Sequence, residues 1–227
     1  MEHDDGQLSV PQHDEESRIR IASLHLKLRS AGISDRRVLN ALETVPRDLF
    51  VPEEWASYAY EDRALPIECG QTISAPSVVA IMTAALEVND RHKVLEVGTG
   101  SGYQSAILAR LARRVTTLER YRTLLQRAEG RWAALGINNI SAVQADGGLG
   151  WSRQAPFDRI MVTAACEEAP AKLVAQLVEE GILIAPVGRS DDVQRLTLFQ
   201  KYGTRVDTRD LGAVRFVPMI SGVAQNL

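Results

Sequence analysis

In the stretch Glu96-Val97-Gly98-Thr99-Gly100-Ser101-Gly102, an acid stands two residues ahead of three glycines at alternate positions. Glycine has no Cβ, so a backbone built this way can lie close against a flat polar ligand. Before it, Val94 to Val97 reads as a buried strand. After it, Tyr103 to Leu111 reads as a helix whose N-terminus faces the turn. Strand, glycine turn and helix together form the opening of a nucleotide-type pocket. A dinucleotide fingerprint would require a small third residue at position 103, where this chain has tyrosine.

The E-x-G-x-G-x-G spacing instead resembles motif I of class I methyltransferases that use S-adenosyl-L-methionine, which makes Glu96, Gly98, Thr99, Gly100 and Gly102 candidate cofactor residues. Two further acids fall where such a ligand needs them. Glu119 ends the next apolar run, 17 residues beyond Gly102, where a carboxylate can accept from ribose hydroxyls. Asp146-Gly147 follows the third run, where an Asp can accept from an adenine amino group; taken alone, Asp-Gly is also an ordinary turn.

The elements that must carry these residues alternate regularly. Strands are expected at 94–97, 115–119, 140–145, 158–163 and 182–185, with helices at 103–113, 121–135 and about 170–178. Continuous apolar strands between amphipathic helices indicate an α/β fold, a mostly parallel sheet covered on both faces. Residues 195–199 and 214–217 read as an antiparallel edge. Upstream, a helix from Glu16 carries Ile19, Ile21, Leu24, Leu26 and Leu28 and ends at Gly32. A second starts at the cap Ser34 and stops at Pro46, and Val45 to Pro52 is a loop with apolar anchors. A third helix runs from about Ser77 to Leu86, with Thr72 or Ser74 as its cap in the plain structural reading. The expected organisation is an acidic flexible tail at 1–16 and a single domain at 17–227. Within that domain, 17–90 forms a helical substrate-side extension and 91–227 the cofactor-binding Rossmann-like core.

Composition excludes several classes. The chain has 227 residues, 45% hydrophobic and 24% charged, as in ordinary globular proteins. A net charge of −3 gives no basic stripe for nucleic acid. The absence of an 18-residue apolar run or a basic leader argues against a membrane or secreted protein. Two cysteines, Cys69 and Cys166, make neither a disulfide framework nor a metal cluster, so a cytoplasmic, metal-free protein is expected.

Val45 to Pro52, Gly70-Gln71-Thr72-Ile73-Ser74-Ala75-Pro76, Leu95 to Gln104, Asp146-Gly147, Pro186-Val187-Gly188 and Arg215-Phe216-Val217-Pro218-Met219 together resemble the protein-L-isoaspartate O-methyltransferase family, from about residue 18 to 222. The resemblance implies a class I Rossmann-like fold and methyl transfer from S-adenosyl-L-methionine to the free α-carboxylate of isoaspartyl residues in damaged proteins. S-adenosyl-L-homocysteine is the product, and a succinimide then opens the way to repair. It also implies Ser74 as the active-site residue, Ser77 beside the cofactor, and Thr72, Ile73, Val217 and Pro218 along the substrate. A monomer is expected. Two other readings remain at this stage: a methyltransferase for another carboxylate, and a non-catalytic adaptor keeping the fold. The chain ends soon after Met219, without an added recognition domain, which disfavours the first. The intact glycine set with Glu119 and Ser74 disfavours the second.

Overall fold

The computed structural model describes residues 15–189 and 191–224, so the acidic tail expected at 1–16 lies outside the described residues except for its last two positions. Those two begin α1, Glu15–Ser30. Of its apolar residues only Leu24 and Leu28 are buried, one turn apart, while Ile19 and Leu26 face solvent. Helix α2, Arg36–Thr44, is capped by Asp35, whose side chain accepts the Arg37 N–H at 2.9 Å. The cap expected at Ser34 is therefore one residue early.

A two-stranded ladder follows, β1 (Leu65–Pro66) antiparallel to β2 (Thr72–Ile73). It leads into α3, Pro76–Ala85. Neither Thr72 nor Ser74 caps α3. Thr72 is committed to the ladder, and the N-cap position is Ala75, which has no side-chain acceptor. The Ser77 N–H instead donates 2.8 Å to Asp62, 15 residues upstream.

The core sheet then builds in order: β3 (Lys93–Val97), α4 (Tyr103–Ala109), β4 (Arg114–Glu119), α5 (Arg122–Ala134), β5 (Ile140–Gln144), β6 (Phe157–Val162), α6 (Ala171–Val174), β7 (Leu177–Val187), β8 (Gln194–Tyr202) and β9 (Arg205–Val214). The spatial order is β5-β4-β3-β6-β7-β8-β9. Strands β5 to β7 run parallel, and β8 and β9 are antiparallel additions at one edge. After β3 the chain winds outward through β4 and β5, then returns to the other side of β3 at β6. Ligands of open α/β sheets bind at such a reversal, outside the strand C-termini.

Two expected elements are shorter or displaced. The helix expected at 170–178 is only α6, because Leu177 pairs with Phe157 and the chain must already be extended there. The second edge strand, expected at 214–217, is β9 and ends at Val214. Its largely exposed, polar sequence shows no apolar alternation, as suits an edge. The helical extension is packed onto the core: Leu24, Leu28, Leu42 and Phe50 share one hydrophobic cluster with Tyr103, Ile107 and Trp132. Among the described residues no helix is long and apolar enough to cross a membrane.

Candidate active site

One cleft opens at the C-terminal ends of β3, β4 and β6. It spans about 900 Å³ when the open solvent at its mouth is counted. Gly98, Thr99, Gly100 and Glu119 line one end with Gly147. Thr72, Ile73, Ser74, Val217 and Pro218 line the other. Thus ten residues marked in the sequence converge on one space. Tyr103, Gln104, Thr163 and Met219 line it too.

The glycine turn is pinned to both neighbouring strands. Gly98 N–H donates to Leu118 O at 2.8 Å, and Thr163 N–H to Val97 O at 2.9 Å. Gly98 has φ +96°, and a Cβ there would collide with Thr163 Oγ1. Gly102, φ +87°, is constrained by something else. A Cβ would meet Ala128 at 2.7 Å and Trp132 Nε1 at 2.9 Å, and Trp132 donates to the Gly102 carbonyl. Gly102 is not among the residues that line the cleft; it lets α4 and α5 approach.

Glu96 also departs from expectation. It is fully buried on the α4 side of β3, away from the cleft. Its Oε2 accepts from Ser105 Oγ, at short range, and from Thr117 Oγ1 at 2.6 Å, while Oε1 has no partner among the described residues. Since Thr117 donates to Glu96, Thr99 must donate to Thr117 across their 2.7 Å contact. Glu96 therefore supports the turn through a relay of hydroxyls. Burial pushes its carboxyl up to about 8, against the opposing hydrogen bonds from Ser105 and Thr117.

Glu119 lines the cleft, but its acceptor capacity is largely used. Oε2 accepts Gly100 N–H at 2.9 Å, and Oε1 accepts Arg120 and Tyr121 N–H at 2.8 and 3.0 Å. A carboxylate offers about four lone-pair sites, so one position is open and a second hydroxyl needs the Gly100 bond to yield. Asp146 does not line the cleft. Its Oδ1 accepts Gly148 N–H and its Oδ2 accepts Gly222 N–H at 2.7 Å, and Ala224 N–H reaches Arg120 O. Asp146 thus straps the C-terminal segment beside the cleft. Ser77 is likewise outside the lining, with its N–H turned to Asp62.

The substrate-side strip owes its position to β6. Val217 O accepts Ala165 N–H at 2.8 Å and Met219 N–H donates back to Ala165 O at 2.9 Å, drawing 217–219 alongside the chain that leaves β6. Ser74 presents a hydroxyl with no hydrogen-bond partner among the described residues, while its carbonyl accepts Arg47 Nη2 at 2.7 Å. Arg47 was legible only as a charge inside the apolar run Val45 to Pro52. Cys166 is buried and its thiol is pushed up to about 12 by burial; Cys69 is half-buried, and both are free. No group of three or more His, Cys, Asp or Glu among the described residues could hold a metal.

A nucleotide-type turn at a topological reversal, joined to a second wall from an N-terminal extension, defines a Rossmann-like S-adenosyl-L-methionine-dependent methyltransferase. Residues 20–224 match the family model described as protein-L-isoaspartate(D-aspartate) O-methyltransferase, and the chain belongs to that family. It is 51% identical to the protein-L-isoaspartate O-methyltransferase of Maricaulis maris over 92% of this chain and 97% of that protein. Identity to the Parvibaculum lavamentivorans enzyme of the same name is 55% over 89% and 92%. A solved protein-L-isoaspartate O-methyltransferase superposes with TM-score 0.81 at 29% identity, covering 89% of this chain and 67% of that one. A Plasmodium falciparum protein assigned to the same activity, in complex with S-adenosyl-L-homocysteine, superposes with TM-score 0.75 at 27% identity, covering 87% and 97%.

Proposed function

We infer that this chain is a protein-L-isoaspartate O-methyltransferase. It transfers a methyl group from S-adenosyl-L-methionine to the free α-carboxylate of L-isoaspartyl residues in damaged proteins and peptides. The observation that carries this reading is a single cleft lined at one end by the glycine turn with Glu119 and at the other by Thr72 to Ser74 and Val217 to Pro218. The first end suits an adenosyl group: Glu119 keeps an open acceptor position beside the backbone of Gly98 to Gly100. Gly98, Thr99 and Gly100 would hold that ligand by their backbone, Glu119 by a ribose hydroxyl, and Gly147 by leaving room for the ring. When bound, S-adenosyl-L-methionine supplies an electrophilic methyl on a sulfonium.

The protein's own contribution is orientation. An isoaspartyl carboxylate is already ionised at neutral pH, so no general base is required. Positioning and exclusion of water provide most of the rate. The unpartnered Ser74 hydroxyl orients the substrate carboxylate, and Thr72, Ile73, Val217 and Pro218 hold the peptide around it. The methyl ester is a better acyl donor than a carboxylate, so the neighbouring backbone nitrogen attacks its carbonyl and closes a succinimide unaided, with loss of methanol; hydrolysis of the ring restores some normal aspartyl linkage. Free Cys69 and Cys166 suit a reducing compartment such as the cytoplasm. Incubation with labelled S-adenosyl-L-methionine and matched isoaspartyl and aspartyl peptides tests the reading. Labelling of the isoaspartyl peptide alone is expected; labelling of neither, or of the aspartyl form, overturns it.

A further inference from the structure

Arg47 is fully buried, in the short helical turn Arg47–Phe50. Its Nε donates to Ala59 O and its Nη2 to Ser74 O, both at 2.7 Å. Its Cζ stands 5.0 Å from the ring centroid of Tyr103, a residue of the cleft wall. Among the described residues no carboxylate forms an ion pair with it, and Nη1 is buried without a hydrogen-bond partner. Burial lowers the guanidinium to about 10, which still leaves it charged at neutral pH.

An unpaired buried charge costs stability that an apolar side chain of similar volume would not. What the cation does is bind two carbonyls that lie outside regular structure. Ser74 lies between the end of β2 at Ile73 and the first helical acceptor of α3, the Ala75 carbonyl that takes Val79 N–H. Its own carbonyl falls to Arg47. Three residues on, Ser77 N–H is held by Asp62. The segment that carries the Ser74 hydroxyl is thus held from outside at two points, by charged side chains of the N-terminal extension.

We propose that Arg47 is a positioning residue for methyl transfer: by holding the Ser74 carbonyl from within the core, it fixes the direction in which the Ser74 hydroxyl meets the substrate carboxylate. This rests on the assignment of Ser74 made above. The closing experiment is a double-mutant cycle of Arg47→Lys with Ser74→Ala, reading kcat and KM for an isoaspartyl peptide, S-adenosyl-L-homocysteine affinity and melting temperature. Arg47→Lys should lower kcat/KM on the order of ten- to a hundredfold, the scale of a small misplacement of a reacting group, and leave S-adenosyl-L-homocysteine affinity unchanged. In the Ser74→Ala background the same substitution should lower kcat/KM by no more than about threefold, because residues that act through one another are non-additive. Equal losses in both backgrounds, or a parallel loss of product affinity, overturn the proposal. Arg47→Met keeps most of the volume and removes every donor. It should lose at least as much activity as Arg47→Lys, and full activity in a folded Arg47→Met protein would overturn the proposal independently. Wild-type turnover, measured in the same series, separates a failure of the enzymatic assignment from a failure of this one.

Discussion

Glu96 and Glu119 end up with opposite tasks although both sit near strand C-termini in one sheet. Both point to the same face, but Glu96 stands one residue short of the end of β3 and lies in the core beneath α4, while Glu119, the last residue of β4, opens on the cleft. Burial holds the Glu96 carboxyl protonated up to about 8, against an ordinary 4.5. Below 4.5 both folded and unfolded chains carry that proton. From there to about 8 only the unfolded chain loses it, so stability falls on the order of 1.4 kcal/mol per pH unit over this window and levels off above it. Glu96→Gln should fold, keep an acceptor for Ser105 and Thr117, and lack this slope; thermal melts from pH 5 to 9 compare the two proteins, and parallel curves would refute the assignment. Ser74→Ala removes the one cleft hydroxyl assigned to the substrate carboxylate. Turnover of isoaspartyl peptide should fall while S-adenosyl-L-homocysteine affinity stays, as isothermal calorimetry would record.

Gly98 and Gly102 belong to one turn yet serve different neighbours, so their alanine variants should separate. Gly98→Ala forces a Cβ into Thr163 at a positive φ and distorts the cleft wall. Product affinity should collapse, with a stability cost of about 1–3 kcal/mol. Gly102→Ala presses on Ala128 and Trp132 and should act mainly on stability, seen as a lower denaturant midpoint with smaller loss of affinity by the folded fraction. At this scale the sequence was legible where periodicity was strong. Strands β3, β4 and β6 are rich in β-branched and apolar residues and were placed within a residue or so. Strand β9 and the shortness of α6 were not legible, because an exposed edge strand lacks alternation and the pairing of Leu177 with Phe157 is a long-range event. The first turn of α3 was not legible for the same reason: its Ser77 N–H is taken by Asp62, whose nearness depends on how the preceding loop folds.

The whole molecule joins a sheet that presents a nucleotide-type turn to an extension that presents Ser74, through one shared hydrophobic cluster. A ligand seated between them stabilises only the folded form. At a hundred times its dissociation constant, S-adenosyl-L-homocysteine should add about 2.7 kcal/mol, a rise in Tm of roughly 5–10 °C. A scanning melt with increasing ligand checks this, and an unshifted Tm at saturation would contradict a cofactor site in this cleft. The sequence by itself determined the parallel α/β class and the glycine turn, since each is written in contiguous residues whose types restrict the backbone locally, and it marked Glu119 by its place at a strand end; the Thr72 to Ser74 and Val217 to Pro218 segments were marked by resemblance to the family. Only the tertiary structure decided that Glu96 and Gly102 act from behind the turn, that Asp146 fastens the C-terminal segment, and that Arg47 grips Ser74. Those outcomes depend on which side of a strand or helix meets which distant partner, and burial and hydrogen-bond satisfaction fix that only once the chain has packed.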